Sequence, residues 1–88
     1  MKIIELDGKE MTERKAAYAY LCRVMCFPSY FGNNLDALYD ELTDISVPTI
    51  LHIRNWDGLL EMGVYGEKMQ QTFVDAEKND PAISLKIE

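Results

Sequence analysis

The chain has 88 residues, 48 % of them apolar, and a net charge of −6 from 15 acidic and 9 basic residues. That describes one domain with enough apolar content to pack its own core, which argues against disorder and against a disulfide- or metal-stapled scaffold. An acidic surface lacks the basic face that phosphate neutralisation needs, so nucleic-acid binding is not expected, and no apolar run is long enough to cross a membrane.

Residues 2–6 (KIIEL) are a short apolar run ended by Asp7-Gly8, which predicts a first strand. The N-terminus turns charged within a few residues and has no apolar stretch of signal-peptide type, so a cytoplasmic location is expected. Thr12, Glu13 and the alanine-rich stretch after them predict a helix from about 12 to 25, with Ala17, Leu21, Val24 and Met25 facing the core. Pro28 stops it. Cys22 and Cys26 lie one turn apart on this helix. They are too few for a disulfide framework and read as partly buried small side chains rather than a redox or metal pair.

Residues 34–42 predict a second helix, with Asn33 or Asn34 as its N-cap and Leu35, Leu38 and Leu42 as its apolar stripe. Pro48 leads into TILHI at 49–53, which reads as a buried strand. A short helix is expected at 57–62 and a long one at 66–78, where Met69, Phe73 and Ala76 share a face. After the turn Asn79-Asp80-Pro81, Ile83, Leu85 and Ile87 alternate with polar residues, the pattern of a strand with one buried face. Strands separated by helices favour parallel pairing through right-handed crossovers. The expected fold is a single α/β domain over residues 1–88, a small three-stranded parallel sheet flanked by three to four helices.

Little here suggests catalysis. His52, the one histidine, falls inside the expected central strand and reads as a residue packed against a neighbouring helix rather than a general base. There is no nucleophile elbow, phosphate-cradling glycine loop or HExxH. No enzyme activity, cofactor or metal is expected.

The second helix carries the information. Asp36 and Asp40 stand at i and i+4, and Asp44 follows one turn later if the helix reaches it. Like charges at this spacing cost a helix ~0.2–0.5 kcal/mol per pair. Asp36 lies in the first turn, where the helix dipole favours an acid, but Asp40 and Asp44 lie towards the end that disfavours one. Local stability does not account for them, which leaves a solvated face or a binding face. Carboxylates in a row on one straight helix do not wrap a cation and do not match an EF-hand loop. Tyr30, Phe31 and Tyr39 interleave with the acids, as aromatic anchors do at interfaces. In the alternative reading Phe31 is core and the tyrosines cap it.

The block from Pro28 to Thr43, P-x-Y-F-G-N-N-L-D-A-L-Y-D-x-L-T, closely resembles the signature of the barstar family, inhibitors of the ribonuclease barnase. The resemblance continues through Pro48 into the second strand, the Phe73–Glu77 helix end and the alternating last strand. It implies inhibition by plugging the active site of a basic, extracellular-type ribonuclease, by a protein that is monomeric when free. The aspartate matching Asp40 takes the place of a substrate phosphate, and Asp36 meets the edge of the nuclease cleft. Tyr30 matches a tyrosine that packs on the nuclease, and Asn34 and Thr43 match contact positions. Asp75 matches an acid on the last helix, one methylene shorter than the family's glutamate.

There are departures from the family pattern. Tyr39 stands where the family has a tryptophan. The loop after Thr43, Asp44-Ile-Ser-Val, is one residue shorter and lacks the family's glycine and tryptophan. Neither cysteine sits at a family cysteine position. The family's proline at Pro48 follows a cis bond. The expected partner-binding set is therefore Tyr30, Asn34, Asp36, Tyr39, Asp40, Thr43, Asp44 and Asp75. An alternative keeps the acidic face but directs it at a different basic protein or toxin.

Overall fold

The computed structural model describes residues 1–88, with strand β1 (Lys2–Asp7), helices α1 (Arg14–Met25) and α2 (Leu35–Thr43), strand β2 (Thr49–Arg54), helix α3 (Val64–Asn79) and strand β3 (Ile83–Ile87). Two 3-10 helices, Gly8–Glu10 and Trp56–Met62, follow β1 and β2. The sheet has the order β1-β2-β3, and both pairings are parallel. This is the expected architecture.

The core lies on one side of the sheet. Leu6, Leu51, Ile53 and Ile83 point into it and meet Ala17, Tyr18 and Leu21 of α1, Leu38 and Leu42 of α2, and Met69, Phe73 and Ala76 of α3. Hydrogen bonds fasten the outer helices to the two sheet edges. The Asp7 N–H donates to the Tyr20 hydroxyl of α1 at 2.8 Å, and the Leu85 N–H donates to the Glu77 carboxylate of α3 at 2.7 Å. Each removes an unpaired edge group that would otherwise invite another strand. Between α1 and α3 the Tyr18 and Tyr65 hydroxyls share a hydrogen bond, and Arg14 lies 4.6 Å from the Tyr65 ring centroid. Burial holds the Tyr18 phenol well above its ordinary pKa, and burial likewise pushes the Cys22 thiol up.

β2 corrects the sequence reading. It is not buried on both faces: Thr49, Leu51 and Ile53 are buried, whereas Ile50 and His52 are only half-covered and Arg54 is exposed. All three helices join the one core cluster, so the second sheet face carries polar groups. The register sets Glu5, His52 and Lys86 side by side across that face. His52 thus packs between carboxylates and not against a helix. Its Nδ1 lies 2.8 Å from Glu5, and its Nε2 meets Glu88. The bonds to Glu88 and then Glu5 raise the imidazole pKa above 6.5, and the Glu88 carboxyl is lowered in return. At the end of β1, Asp7 is lowered by the Asn55 amide and then the Lys9 N–H.

Element ends also shift. α1 begins at Arg14, not 12, because Glu13 is extended (φ −145°, ψ 141°). α3 begins at Val64, two residues early, after Gly63 turns the chain at φ 64°. Gly66 must be glycine, since a Cβ there would lie 1.8 Å from the Leu59 carbonyl oxygen. The Val47–Pro48 bond is trans, as is every peptide bond in the chain, so the implied cis bond is absent. Trans is the ordinary preference before proline.

Candidate functional site

α2 is set in place from both ends. Asn34 is the N-cap: its Oδ1 accepts the Ala37 N–H at 2.7 Å, and its Nδ2 donates to the Gly32 carbonyl at 3.2 Å. Asn33, the other candidate cap, instead takes a left-handed turn at φ 52°. At the far end Asp44 is the C-cap, still helical (φ −85°, ψ −7°), with its N–H on the Asp40 carbonyl. The helical repeat therefore continues through Asp36, Asp40 and Asp44.

Leu38 and Leu42 are fully buried beneath the helix. At ~100° per residue, Asp40 stands nearly opposite them, with Asp36 and Asp44 one turn to either side. All three are exposed. The same rotation places Tyr39 and Thr43 on one flank of this ladder and Glu41 on the other.

No acid of α2 is neutralised within the chain. The ion pairs join only Glu5, His52, Arg54 and Glu88, all on the far sheet face. The last turn of α2 contains no basic residue. The helix therefore presents a row of unpaired carboxylates held on a packed base.

Asp75 lies on α3, which packs against α2 and is tied to it through Tyr39. The Tyr39 ring packs against the core, and its hydroxyl accepts from Asn79 Nδ2 at 2.9 Å. The same amide nitrogen donates to the Asp75 carbonyl at 3.0 Å, and Gln71 donates to the Asp75 carboxylate at 2.8 Å. Tyr39 thus locks α2 to α3 as well as bordering the ladder. Asn79 and Gln71 were not singled out from sequence, because only the packing of α3 on α2 connects them to it.

Other expected site residues have local tasks. The Thr43 hydroxyl donates to the Tyr39 carbonyl at 2.8 Å, leaving its oxygen as an acceptor. The Asn34 side chain is engaged in capping. Tyr30 lies in the loop before α2 with 84 % of its surface exposed, free to meet a partner. Phe31 turns inward, its ring centroid 4.8 Å from Phe27 and 5.8 Å from Tyr18, as the core reading expects.

No three His, Cys, Asp or Glu side chains cluster in a way that could hold a metal. The largest depression, about 660 Å³ at the carboxyl ends of the strands, is lined by residues such as Lys9, Asn55, Trp56 and Glu61. It includes no residue of α2. No helix is long and apolar enough to cross a membrane. The site's chemistry is that of a preorganised anionic face suited to a cationic surface.

A known protein family and a known protein resemble this chain. A family model described as Barstar (barnase inhibitor) matches residues 1–88. The chain is also 29 % identical over 80 residues to the Bacillus subtilis (strain 168) protein named "Putative ribonuclease inhibitor YrdF", covering 89 % of this chain and 88 % of that one.

Proposed function

This chain belongs to the barstar family, and from that premise we propose that it is an inhibitor that plugs the active site of a basic, barnase-like ribonuclease. The observation that carries the reading is the unpaired ladder of Asp36, Asp40 and Asp44 on a firmly packed helix. A nuclease cleft built to bind phosphate is lined with cationic hydrogen-bond donors. A carboxylate already fixed in position meets those donors with little ordering cost and forms strong charge-assisted bonds.

In this reading Asp40, at the crest of the ladder, replaces the substrate phosphate. Asp36, Asp44 and Asp75 border the contact and meet cationic groups around the nuclease cleft. Tyr30 is the aromatic anchor in front of α2. Asn34 and Thr43 hold the helix ends and offer polar contacts at the rim. Tyr39 fills the groove between α2 and α3. The net charge of −6 speeds encounter with a basic partner more than it strengthens the final complex. The protein acts by occupancy, not by catalysis. It works as a monomer in the cytoplasm, where it protects the cell from a nuclease of the secreted type. Tyr39 and the short loop 44–47 tune it to a nuclease whose rim differs from that of barnase. A basic toxin of another kind is the second reading, favoured by that same altered loop.

The test is RNA cleavage by a barnase-type ribonuclease, titrated with wild-type protein and with Asp40→Ala at low and moderate salt. Wild type should inhibit stoichiometrically. Asp40→Ala should lose ~2–8 kcal/mol of binding. The upper end of that range comes from an aspartate of barstar itself, so the magnitude is borrowed from the family. Undiminished inhibition by Asp40→Ala would overturn the assignment of Asp40. No inhibition by wild type at micromolar concentration would favour the other basic partner.

A further inference from the structure

On the flank of α2 away from Asp75, a cleft of about 300 Å³ runs between the start of β1, the end of α1 and the segment joining α2 to β2. Its floor is apolar: Ile4, Phe27, Ile45 and Val47, the last with 57 % of its surface exposed. Its rim carries Glu41 and Asp44. Neither acid has an ion-pair partner. Lys2 also lines the cleft but forms no ion pair with them.

Two further features make the cleft negative. α1 ends at Cys26 and α2 ends at Asp44, and both of these residues line it. The C-terminal ends of both helices therefore lie beside the two carboxylates, and a helix C-terminus favours a cation. An apolar floor under a negative rim suits a side chain with a long hydrocarbon stem and a cationic head. The volume lies at the low end for a ligand site, which suits one side chain better than a folded segment.

We infer that this cleft receives an arginine side chain from the basic partner, its stem lying on Ile45 and Val47 and its guanidinium between Glu41 and Asp44. Arginine fits better than lysine because its planar head is weakly hydrated and offers several donors at once to two carboxylates. The inference rests on the inhibitor reading. It adds a second anchoring point, one turn beyond Asp40 and on the opposite flank from Asp75. It also gives the short loop 44–47 a part in partner choice, since Ile45 and Val47 belong to the apolar floor of the cleft.

The experiment uses the full chain, a barnase-type ribonuclease, and the variants Glu41→Gln, Val47→Ser and Asp40→Ala, each first checked for an unchanged unfolding transition or corrected for its shift. Inhibition constants are measured alongside the methyl resonances of Ile45 and Val47 in the wild-type complex. Glu41→Gln and Val47→Ser should each weaken inhibition about tenfold or more, chiefly through faster dissociation. Both methyl groups should shift on binding. If Asp40→Ala loses inhibition while the two cleft variants inhibit as wild type and the methyl signals stay put, the cleft inference is overturned and the inhibitor reading stands. If the wild-type protein does not inhibit and its methyl signals do not respond, both are overturned.

Discussion

A helix face kept for binding should make the free protein less stable than it could be, and Asp40 offers the sharpest measure of that. Its carboxylate makes no hydrogen bond or ion pair within the chain, and it is exposed. Replacing it with alanine therefore removes no favourable contact. It does relieve two like-charge neighbours, Asp36 and Asp44, at ~0.2–0.5 kcal/mol each. It removes an acid from the end of α2 that the dipole disfavours, roughly 0.3 kcal/mol at an exposed site. It also exchanges a poor helix former for the best one, up to ~0.7 kcal/mol. The sum is a gain of roughly 1–2 kcal/mol for Asp40→Ala, worth about 4–8 °C in Tm per kcal/mol in a domain of this size.

Urea and thermal unfolding of wild type, Asp40→Ala and Asp40→Asn at low salt and at ~1 M salt would separate the contributions. The asparagine variant should show the charge part alone, and that part should fade at high salt. The propensity part of the alanine gain should persist. An Asp40→Ala protein no more stable than wild type at low salt would mean that the carboxylate has a local structural task. The argument that α2 bears acids for a partner's sake would then fail.

Two further predictions concern the frame that holds this face. Leu42→Ala, two residues from Asp40 but fully buried, should cost ~2.7–5 kcal/mol of unfolding free energy in urea while leaving the folded fraction a full inhibitor. A loss under ~1 kcal/mol would show that α2 is not anchored as described. His52 should make stability depend on pH in a defined direction. Its folded pKa is raised above 6.5, so its contribution is fully present below pH 6.5 and is lost as pH rises through the folded value. Glu88 is lowered from 4.5, so its share is present above that pH and is lost as pH falls through its folded value. Thermal unfolding across pH should show both limbs, and His52→Gln should flatten them. Equal pH profiles for the two proteins would refute the clamp.

The sequence by itself determined the three strands, the three main helices and the inward faces of α2 and α3. Leu38 and Leu42, or Met69, Phe73 and Ala76, recur at the helical period, and a period is a property of one segment that needs no neighbour to be read. The acid ladder was legible for the same reason, as was the parallel order implied by strands that alternate with helices. What lay between segments was decided only by the tertiary structure. TILHI reads the same whether helices cover one sheet face or two, so the open polar face and the carboxylates around His52 stayed hidden. Tyr39 could be placed beside the ladder, but its bond to Asn79 depends on how closely α3 packs on α2. The cleft beside Asp44 is assembled from three segments far apart in the chain. Periodicity fixes which way a side chain points from its own axis, whereas the group it meets depends on how the crossovers set one axis against another.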